Sequence, residues 1–498
     1  MSFGQFAATS QFYLYGRNHC TRTGWENASK KYAQPDILAD PNLNLSGKVY
    51  LITGANAGIG KEFSMFAASK GATVFMVCRN PIRAEAARME IVAKSGNSKV
   101  HLLLGDCGLE TDIRRLWQEF SVHPDATTPA GQVRLDVLIC NAGALLNQKA
   151  LTNEGIEVTL ATHLLFGTYL LTMLALPALQ QTSQSRVIAM SSGGMYNTKF
   201  PAWDVAAAYA PSHTYNGQFA YAFAKRGQVL LMERLSSQYP EVIFLSAHPG
   251  WTQTEALDAA YGDQKTYLEP LRTPWQGAEG ILYLTVAEAG TLQRGGFYLD
   301  RAPQVKHLAG PFFTEGSFTK NSREEVDEMM RQLGQWSSVA TRPTPRQIER
   351  MMARALPLQA MRRDLDLARY MGAWCVLAVI PTPFEVGAFN PVENYALDSA
   401  GTGVHVNFTY LGNAQAKAPS SIQMTARMEN THHSQWTLRP RALGLPLPIT
   451  TSYLVLHVAP DYGYALVSVP DRGYFWVLTR SRPADHADTS TKVLDMYG

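Results

Sequence analysis

Three glycines fall within eight residues, TGANAGIG at 53–60, directly after the strand-like run VYLIT and at the mouth of a helical stretch. Backbone without side chains at a strand-to-helix turn lets main-chain N–H groups approach a phosphate at the positive end of the helix. A chain that places glycines there is committed to an α/β layer with a dinucleotide at its edge. The TGxxxGxG spacing is selective because its strand and helix are both in place.

The surroundings repeat the unit. VYLIT, TVFMVCR, VHLLLG, LDVLICNAG, SRVIAMSS and VIFLSAHPG are short apolar runs separated by helix-length stretches. Such βα units predict a doubly wound, Rossmann-type parallel sheet over 47–337, ending in a helix within SREEVDEMMRQLGQW (322–336). Residues 338–363 read as a basic, proline-bracketed connector. From 364 the texture changes to short strands punctuated by DSAGTG, APDYG and PDRG, which predicts an all-β barrel over 364–483. A leader at 1–46 and a tail at 484–498 complete the division.

Composition supplies the exclusions. At 498 residues the chain exceeds what one core organises, and 46% apolar with 17% charged residues leaves material for several. A net charge of +3 gives no support to nucleic-acid binding. Five cysteines without a CxxC pair predict free thiols, with Cys78, Cys107 and Cys140 buried, which fits a reducing, cytoplasmic setting. The acid-free first 25 residues, with Arg17 and Arg22, leave organelle targeting open. The apolar stretch 163–179 contains His163 and Pro177 and reads as a buried or subunit-facing helix, compatible with a homodimer, rather than a membrane span. Arg346, Arg350 and Arg354 recur at helical spacing beside Met351 and Met352; a solvated face is preferred to peripheral membrane association.

The cofactor can be narrowed further. A carboxylate after the second strand would bind a ribose 2'-hydroxyl, but Arg79 stands there, and Lys61 follows the glycines. A guanidinium fork suits a 2'-phosphate, so NADP(H) is expected. Asp106 and the run Asn141, Ala142, Gly143 occupy further strand ends where adenine and ribose contacts gather.

YAFAK sets Tyr221 and Lys225 one helical turn apart on one face. A phenol is a poor acid at neutral pH, and a neighbouring ammonium stabilises its phenolate, so Tyr221 becomes a usable proton donor to a carbonyl or acceptor from an alcohol. Of the two serines ending SRVIAMSS, Ser192 is taken as the one that hydrogen-bonds the reacting oxygen. Trp203, Phe219 and Trp251 read either as an apolar substrate cleft or as core.

Together TGANAGIG, NAG at 141–143, the serine, YAFAK and PG at 249–250 resemble the short-chain dehydrogenase/reductase family over about 47–337. GKVYLITGANAGIGK, SSGGMY, AHPGWTQT and the leader GRNHCTRTGWENASKKY are most similar to the retinol-dehydrogenase-like branch and its member-12 subgroup. The resemblance implies that Tyr221 is the acid/base, that Lys225 holds the nicotinamide ribose, that Ser192 orients the substrate oxygen and that Thr254 touches the carboxamide. It also implies a cofactor bed of Gly54, Asn56, Gly58, Ile59, Gly60, Lys61, Arg79, Asp106, Asn141, Ala142, Gly143, Pro249 and Gly250. One departure stands out: the family's relay asparagine is missing, and ATHLLFGTY offers His163 or Leu164 in its place. Either His163 substitutes in the relay or the relay is weakened.

In the second domain, Gly372-Ala373-Trp374 opens the first strand and Arg480 closes the last. This resembles the lipocalin signature, of the bacterial-lipocalin and apolipoprotein D type, and implies an eight-stranded barrel with Arg480 over the Trp374 ring. Such a barrel holds one small lipophilic ligand or is filled by side chains. His432 and His433 are read as loop residues, and no metal site is expected. The expectation for the whole chain is an NADP(H)-dependent oxidoreductase of lipophilic carbonyl/alcohol pairs fused to a lipid-binding barrel. The alternative is a weakly active cofactor-binding scaffold whose barrel carries lipid or docks a partner.

Overall fold

The computed structural model describes residues 3–208, 215–255, 257–258, 262–309, 314–343, 347, 358–380, 388–412, 416, 418–442, 445–446, 450–470 and 474–481. The chain divides into two compact units, with the boundary between Ala355 and Leu356. Arg346, Arg350, Arg354, Met351, Met352 and the tail 484–498 lie outside the described residues.

The first unit is built on one sheet of order β3-β2-β1-β4-β5-β6-β7-β8. The strands are β1 Val49–Thr53, β2 Thr73–Cys78, β3 Val100–Leu104, β4 Val137–Cys140, β5 Arg186–Met190, β6 Ile243–Ala247, β7 Phe297–Leu299 and β8 Ala302–Gln304. All pairings are parallel except β7 with β8. β1, β2, β4, β5 and β6 are buried along their whole length, as expected of strands covered by helices on both faces. The order reverses between β1 and β4, and the loops carrying the glycine turn and NAG leave the carboxyl ends of those two strands. A crevice opens at such a switch point.

The helix Val158–Gln181 holds the long apolar stretch, and 72% of its most apolar window is buried within the protein, so its hydrophobicity is spent on the core. Its middle, Ala161–Leu170, is wound as a π-helix. Cys20, Cys78, Cys107 and Cys140 are buried, Cys375 is half-buried, and all five are free thiols.

The leader folds as well. Helices Phe3–His19 and Arg22–Ser29 are joined at Thr21, whose hydroxyl accepts from the Gly24 amide at 3.1 Å. Buried Arg272 clamps their junction. It donates to the carbonyls of His19 (2.6 Å), Cys20 (3.0 Å) and Thr21 (3.2 Å), and pairs with buried Asp300 at 2.5 and 2.8 Å.

The second unit is a closed barrel. Its strands are β9 Gly372–Ile380, β10 Phe389–Leu397, β11 Gly403–Leu411, β12 Ser420–Met428, β13 Gln435–Ala442, β14 Leu445–Pro446, β15 Thr451–Val458, β16 Tyr464–Ser468 and β17 Phe475–Thr479. β17 pairs with β9, and β12 with β13, so eight antiparallel strands form a ring to which β14 adds a two-residue extension. The guanidinium of Arg480 lies 3.9 Å from the centre of the Trp374 ring and donates to the carbonyls of Tyr370 and Ala373, both at 2.9 Å. The expected closure at the tryptophan end is therefore present. His432 and His433 fall in the turn between β12 and β13.

Candidate active site

β1 hands the chain to helix Gly58–Ser69 through the glycine turn. Gly54 (φ +65°) and Gly58 (φ +50°) adopt left-handed backbone. Ala57, at the helix start, offers no side-chain cap, so the first N–H groups keep their binding capacity. A Cβ at Gly58 would meet only the Thr254 methyl, at 3.6 Å, whereas one at Gly60 would stand 2.1 Å from the Gly54 carbonyl. Bare backbone therefore serves two ends: Gly58 keeps space open above the turn, and Gly60 lets helix and strand close on each other. Gly60→Ala is expected to cost about 1–3 kcal/mol or more by overpacking against backbone and to abolish nucleotide binding, as read by urea unfolding and fluorescence titration; unchanged values would contradict this role.

Asn141 is a strut of the turn. Its amide donates to the Thr53 carbonyl at 2.9 Å and the Gly54 carbonyl at 3.2 Å, while its own N–H and that of Ala142 both reach the Thr53 hydroxyl at 2.9 Å. The NAG run thus fixes the glycine turn from the neighbouring strand. Lys61, expected beside a phosphate, points its ammonium at Glu90, which also pairs with Lys94. Arg79 remains 76% exposed at the end of β2, 3.5 Å from Asp106. The Asp106 carboxylate also accepts from the Gly108 amide, so it shapes its own loop.

Ser192, Tyr221 and Lys225 converge at the ends of β5 and of the long helix Gly217–Gln238. A side chain at Gly194 would stand 3.6 Å from the Ser192 hydroxyl and 3.7 Å from the Tyr221 ring, so both border one point. Ser191 is the structural partner: its hydroxyl donates to the Lys225 carbonyl at 2.8 Å. The Lys225 ammonium lies 5.3 Å from the Tyr221 ring centre and donates to the Met190 carbonyl. Burial pushes Lys225 down to about 7.

His163 also belongs here. Its imidazole meets the Tyr221 ring edge-to-face at 5.3 Å, and its Nε2 is held by the Ala144 main chain at 2.7 Å. Nδ1 is buried without a hydrogen-bond partner among the described residues, and burial with the Lys225 charge holds the ring well below the usual histidine range. Leu164, the other candidate, packs where a side chain on Gly227 would be 2.5 Å away. Periodicity could not show this, because the π-wound turn shifts the helical register. Trp203 and Trp251 are buried, Trp203 against Trp336 and Trp251 against Phe12 and Tyr13 of the leader helix, so core is the correct reading for both. Phe219 stays half-buried.

His101, His123 and Asp125 form one grouping of potential metal ligands among the described residues. His123 Nδ1 already accepts from the Asp125 amide at 3.1 Å, so the cluster reads as a helix-end cap.

Residues 48–265 match the family model described as short chain dehydrogenase, and residues 365–496 the one described as lipocalin-like domain. The chain is 34% identical over 326 residues to dehydrogenase/reductase SDR family member 12 of Homo sapiens, an alignment covering 65% of this chain and 96% of that protein. The chain belongs to the short-chain dehydrogenase/reductase family. This short-chain dehydrogenase/reductase is also 31% identical over 264 residues to retinol dehydrogenase 12 of Bos taurus, covering 52% of this chain and 79% of the relative. A short chain dehydrogenase of Shigella flexneri, solved in complex with NADP, aligns with 52% of this chain and 99% of its own at 22% identity and a TM-score of 0.41. The short-chain dehydrogenase/reductase assignment makes the first unit an oxidoreductase domain, and the separate match of residues 365–496 with the closed eight-stranded ring makes the second a lipocalin-like barrel fused to it.

Proposed function

We propose that the first unit transfers hydride between NADP(H) and a lipophilic carbonyl/alcohol pair. The carrying observation is the convergence of Ser192, Tyr221 and Lys225 beside an uncapped helix start whose glycine turn leaves room for a pyrophosphate. Gly54, Gly58 and the amides opening helix Gly58–Ser69 would hold the phosphates, and Lys225 the ribose. When bound, the nicotinamide supplies or accepts the hydride at its C4. Tyr221 gives its hydroxyl proton to the carbonyl oxygen during reduction and takes it back during oxidation. Ser192 holds that oxygen by a hydrogen bond, and the Lys225 charge stabilises the phenolate left behind. The lipophilic substrate class is supported by the retinol dehydrogenase relative and by the barrel fused to the domain.

Arg79 supports the phosphorylated cofactor. With Lys61 engaged by Glu90, the 2'-phosphate preference rests on this one exposed guanidinium. Hydrogen bonds to a charged group contribute about 1.5–3 kcal/mol, roughly 10- to 100-fold in affinity. Arg79→Ala is therefore expected to reduce the NADPH over NADH preference by that factor in a fluorescence titration, with NADH binding nearly unchanged. An equal loss for both nucleotides would assign Arg79 to the fold instead.

The direct test of the function is NADPH oxidation across medium-chain aldehydes and ketones. Turnover that depends on carbonyl chain length supports it; nucleotide binding without turnover supports the second reading, a cofactor-binding scaffold. One observation favours that second reading, the histidine at the place of the relay asparagine.

A further inference from the structure

The leader helix reaches the loop that carries Ser192. Ala8, Phe12 and Gly16 recur at four-residue spacing on the inner face of helix Phe3–His19. Gly16 is bare where Trp251 packs: a Cβ there would stand 2.3 Å from the indole. The helix is tied down by the Trp251 amide, which donates to the Cys20 carbonyl at 2.7 Å, and by the Tyr15 hydroxyl, which donates to the Gln304 side chain at 2.8 Å. With the Arg272 clamp at its end, it cannot slide along its axis without breaking these contacts. That position brings the half-buried Phe12 ring against Tyr196, with ring centres 5.9 Å apart, and against Gly193. The same ring meets Trp251 edge-to-face at 6.2 Å, so the leader bridges the loops that follow β5 and β6.

The backbone beside Ser192 has little of its own to hold it. Before it, Ser191 is anchored: its amide donates to the Ala247 carbonyl and its hydroxyl to the Lys225 carbonyl, both at 2.8 Å. After it, Met195 and Tyr196 are buried, and the Tyr196 hydroxyl donates to the Val305 carbonyl at 2.7 Å. Between these anchors stand Ser192, Gly193 and Gly194, and two successive glycines leave the chain with the most conformational freedom to lose. The Ser192 hydroxyl accepts from the Gly194 amide at 3.1 Å, so its direction follows that backbone. A Cβ at Gly193 would be 2.5 Å from the Phe12 ring, and one at Gly194 3.7 Å from the Tyr221 ring. One glycine therefore faces the leader and the next faces the phenol.

We propose that Phe12 is a positioning residue for Ser192, a role that rests on the reductase reading above. The ring occupies the space that a side chain at Gly193 would fill, and so supplies from the leader the packing that the glycines lack. Close-packed interiors transmit displacement because they have no spare volume. Removing the ring leaves a void beside backbone that has no side chains to restrain it. Gly193 and Gly194 relax toward that void, and the Ser192 hydroxyl turns with them, away from the oxygen it holds. A misplacement of about 1 Å costs on the order of 100-fold in rate. The leader is thus a working part of the oxidoreductase domain, acting on the reaction through one hydroxyl without touching the substrate.

The test uses the full chain with NADPH and decanal. Phe12→Ala is expected to lower kcat by about 10- to 100-fold with NADPH affinity within about threefold, while Leu14→Ala, on the exposed side of the same helix, changes neither. The deciding readout is a double-mutant cycle. In a Ser192→Ala background the Phe12→Ala loss should shrink to within about twofold, because both act through one hydroxyl. Gly193→Ala, whose methyl group pushes the same backbone away from the Phe12 ring, should lower kcat and lose its effect in the same way, and it carries the cycle if a thermal melt shows Phe12→Ala unfolded. Amide exchange over 191–197, read by mass spectrometry without substrate, should be at least about fivefold faster in either variant than in the wild type, with β1 and β4 unchanged. An unchanged kcat, a loss of equal size with and without the Ser192 hydroxyl, or unchanged exchange over 191–197 overturns the proposal. A wild type without turnover sinks the reductase reading instead, and the exchange measurement then decides alone whether Phe12 holds the loop.

Discussion

Replacing Tyr221 with phenylalanine is expected to lower kcat for carbonyl reduction by about 10²–10⁴-fold, the usual contribution of a positioned acid–base group. NADPH affinity should stay within about threefold, because the ring that packs beside Lys225 and His163 is retained. Lys225→Met should lower kcat and weaken NADPH together, since the proposed mechanism uses the ammonium for both the phenolate and the ribose. The pH profile carries the same signature. Lys225 is pushed down to about 7, so the cation is lost as pH rises through that value, and kcat/KM for reduction should fall over the same range. The neutral amine no longer supplies the charge that stabilises the phenolate. Steady-state kinetics of both variants and a pH series on the wild type check these outcomes. A Tyr221→Phe variant with wild-type kcat would remove Tyr221 from the chemistry.

The second large effect lies in the leader. Arg272→Met is expected to destabilise the first unit by about 3–5 kcal/mol, the cost of leaving one half of a buried ion pair uncompensated. Asp300 would lose its partner, and the carbonyls of His19, Cys20 and Thr21 would lose their donor. Arg83→Ala is the matched control. Arg83 pairs with Glu255 at 2.8 Å, but the side chains are 53% and 79% exposed, where such pairs are worth about 0–1 kcal/mol. Urea unfolding followed by tryptophan fluorescence separates the two, and limited proteolysis reports whether helix Phe3–His19 is released first. Similar losses for both variants would contradict the assignment of Arg272 as the clamp.

What could be read from the sequence follows from what is local. VYLIT, TVFMVC and IFLSA announce buried strands because each is an unbroken apolar run, and TGANAGIG and YAFAK carry their chemistry within one turn of backbone. The barrel was marked at its two ends by Trp374 and Arg480, although 106 positions separate them in the chain numbering. The unreadable parts are long-range or too short. β7 and β8 have three residues each, below the length at which alternation can be recognised. The leader helix packs one face on the protein, with Phe12 against Gly193 and Gly16 against Trp251, but it also carries Tyr13 and Leu14 on its exposed side, so its sequence lacks the single apolar stripe of a surface helix. The Arg272–Asp300 pair joins residues 28 positions apart, and neither local pattern names the other as its partner. His163 is placed by a π-wound turn, which a 3.6-residue period cannot anticipate. The ENY triplet that puts Glu393 and Tyr395 on one face of β10 reads like any edge of a strand until the barrel closes around it.

The central claim is direct hydride transfer at the Ser192, Tyr221 and Lys225 cluster. NADPH deuterated at C4 of the nicotinamide, incubated with the full chain and decanal, tests it by mass spectrometry of the decanol formed. The account predicts one deuterium on the carbinol carbon with the wild type and no alcohol above background with Tyr221→Phe. Decanol without deuterium from either C4 epimer of the cofactor, or equal labelled product from the variant, would contradict it.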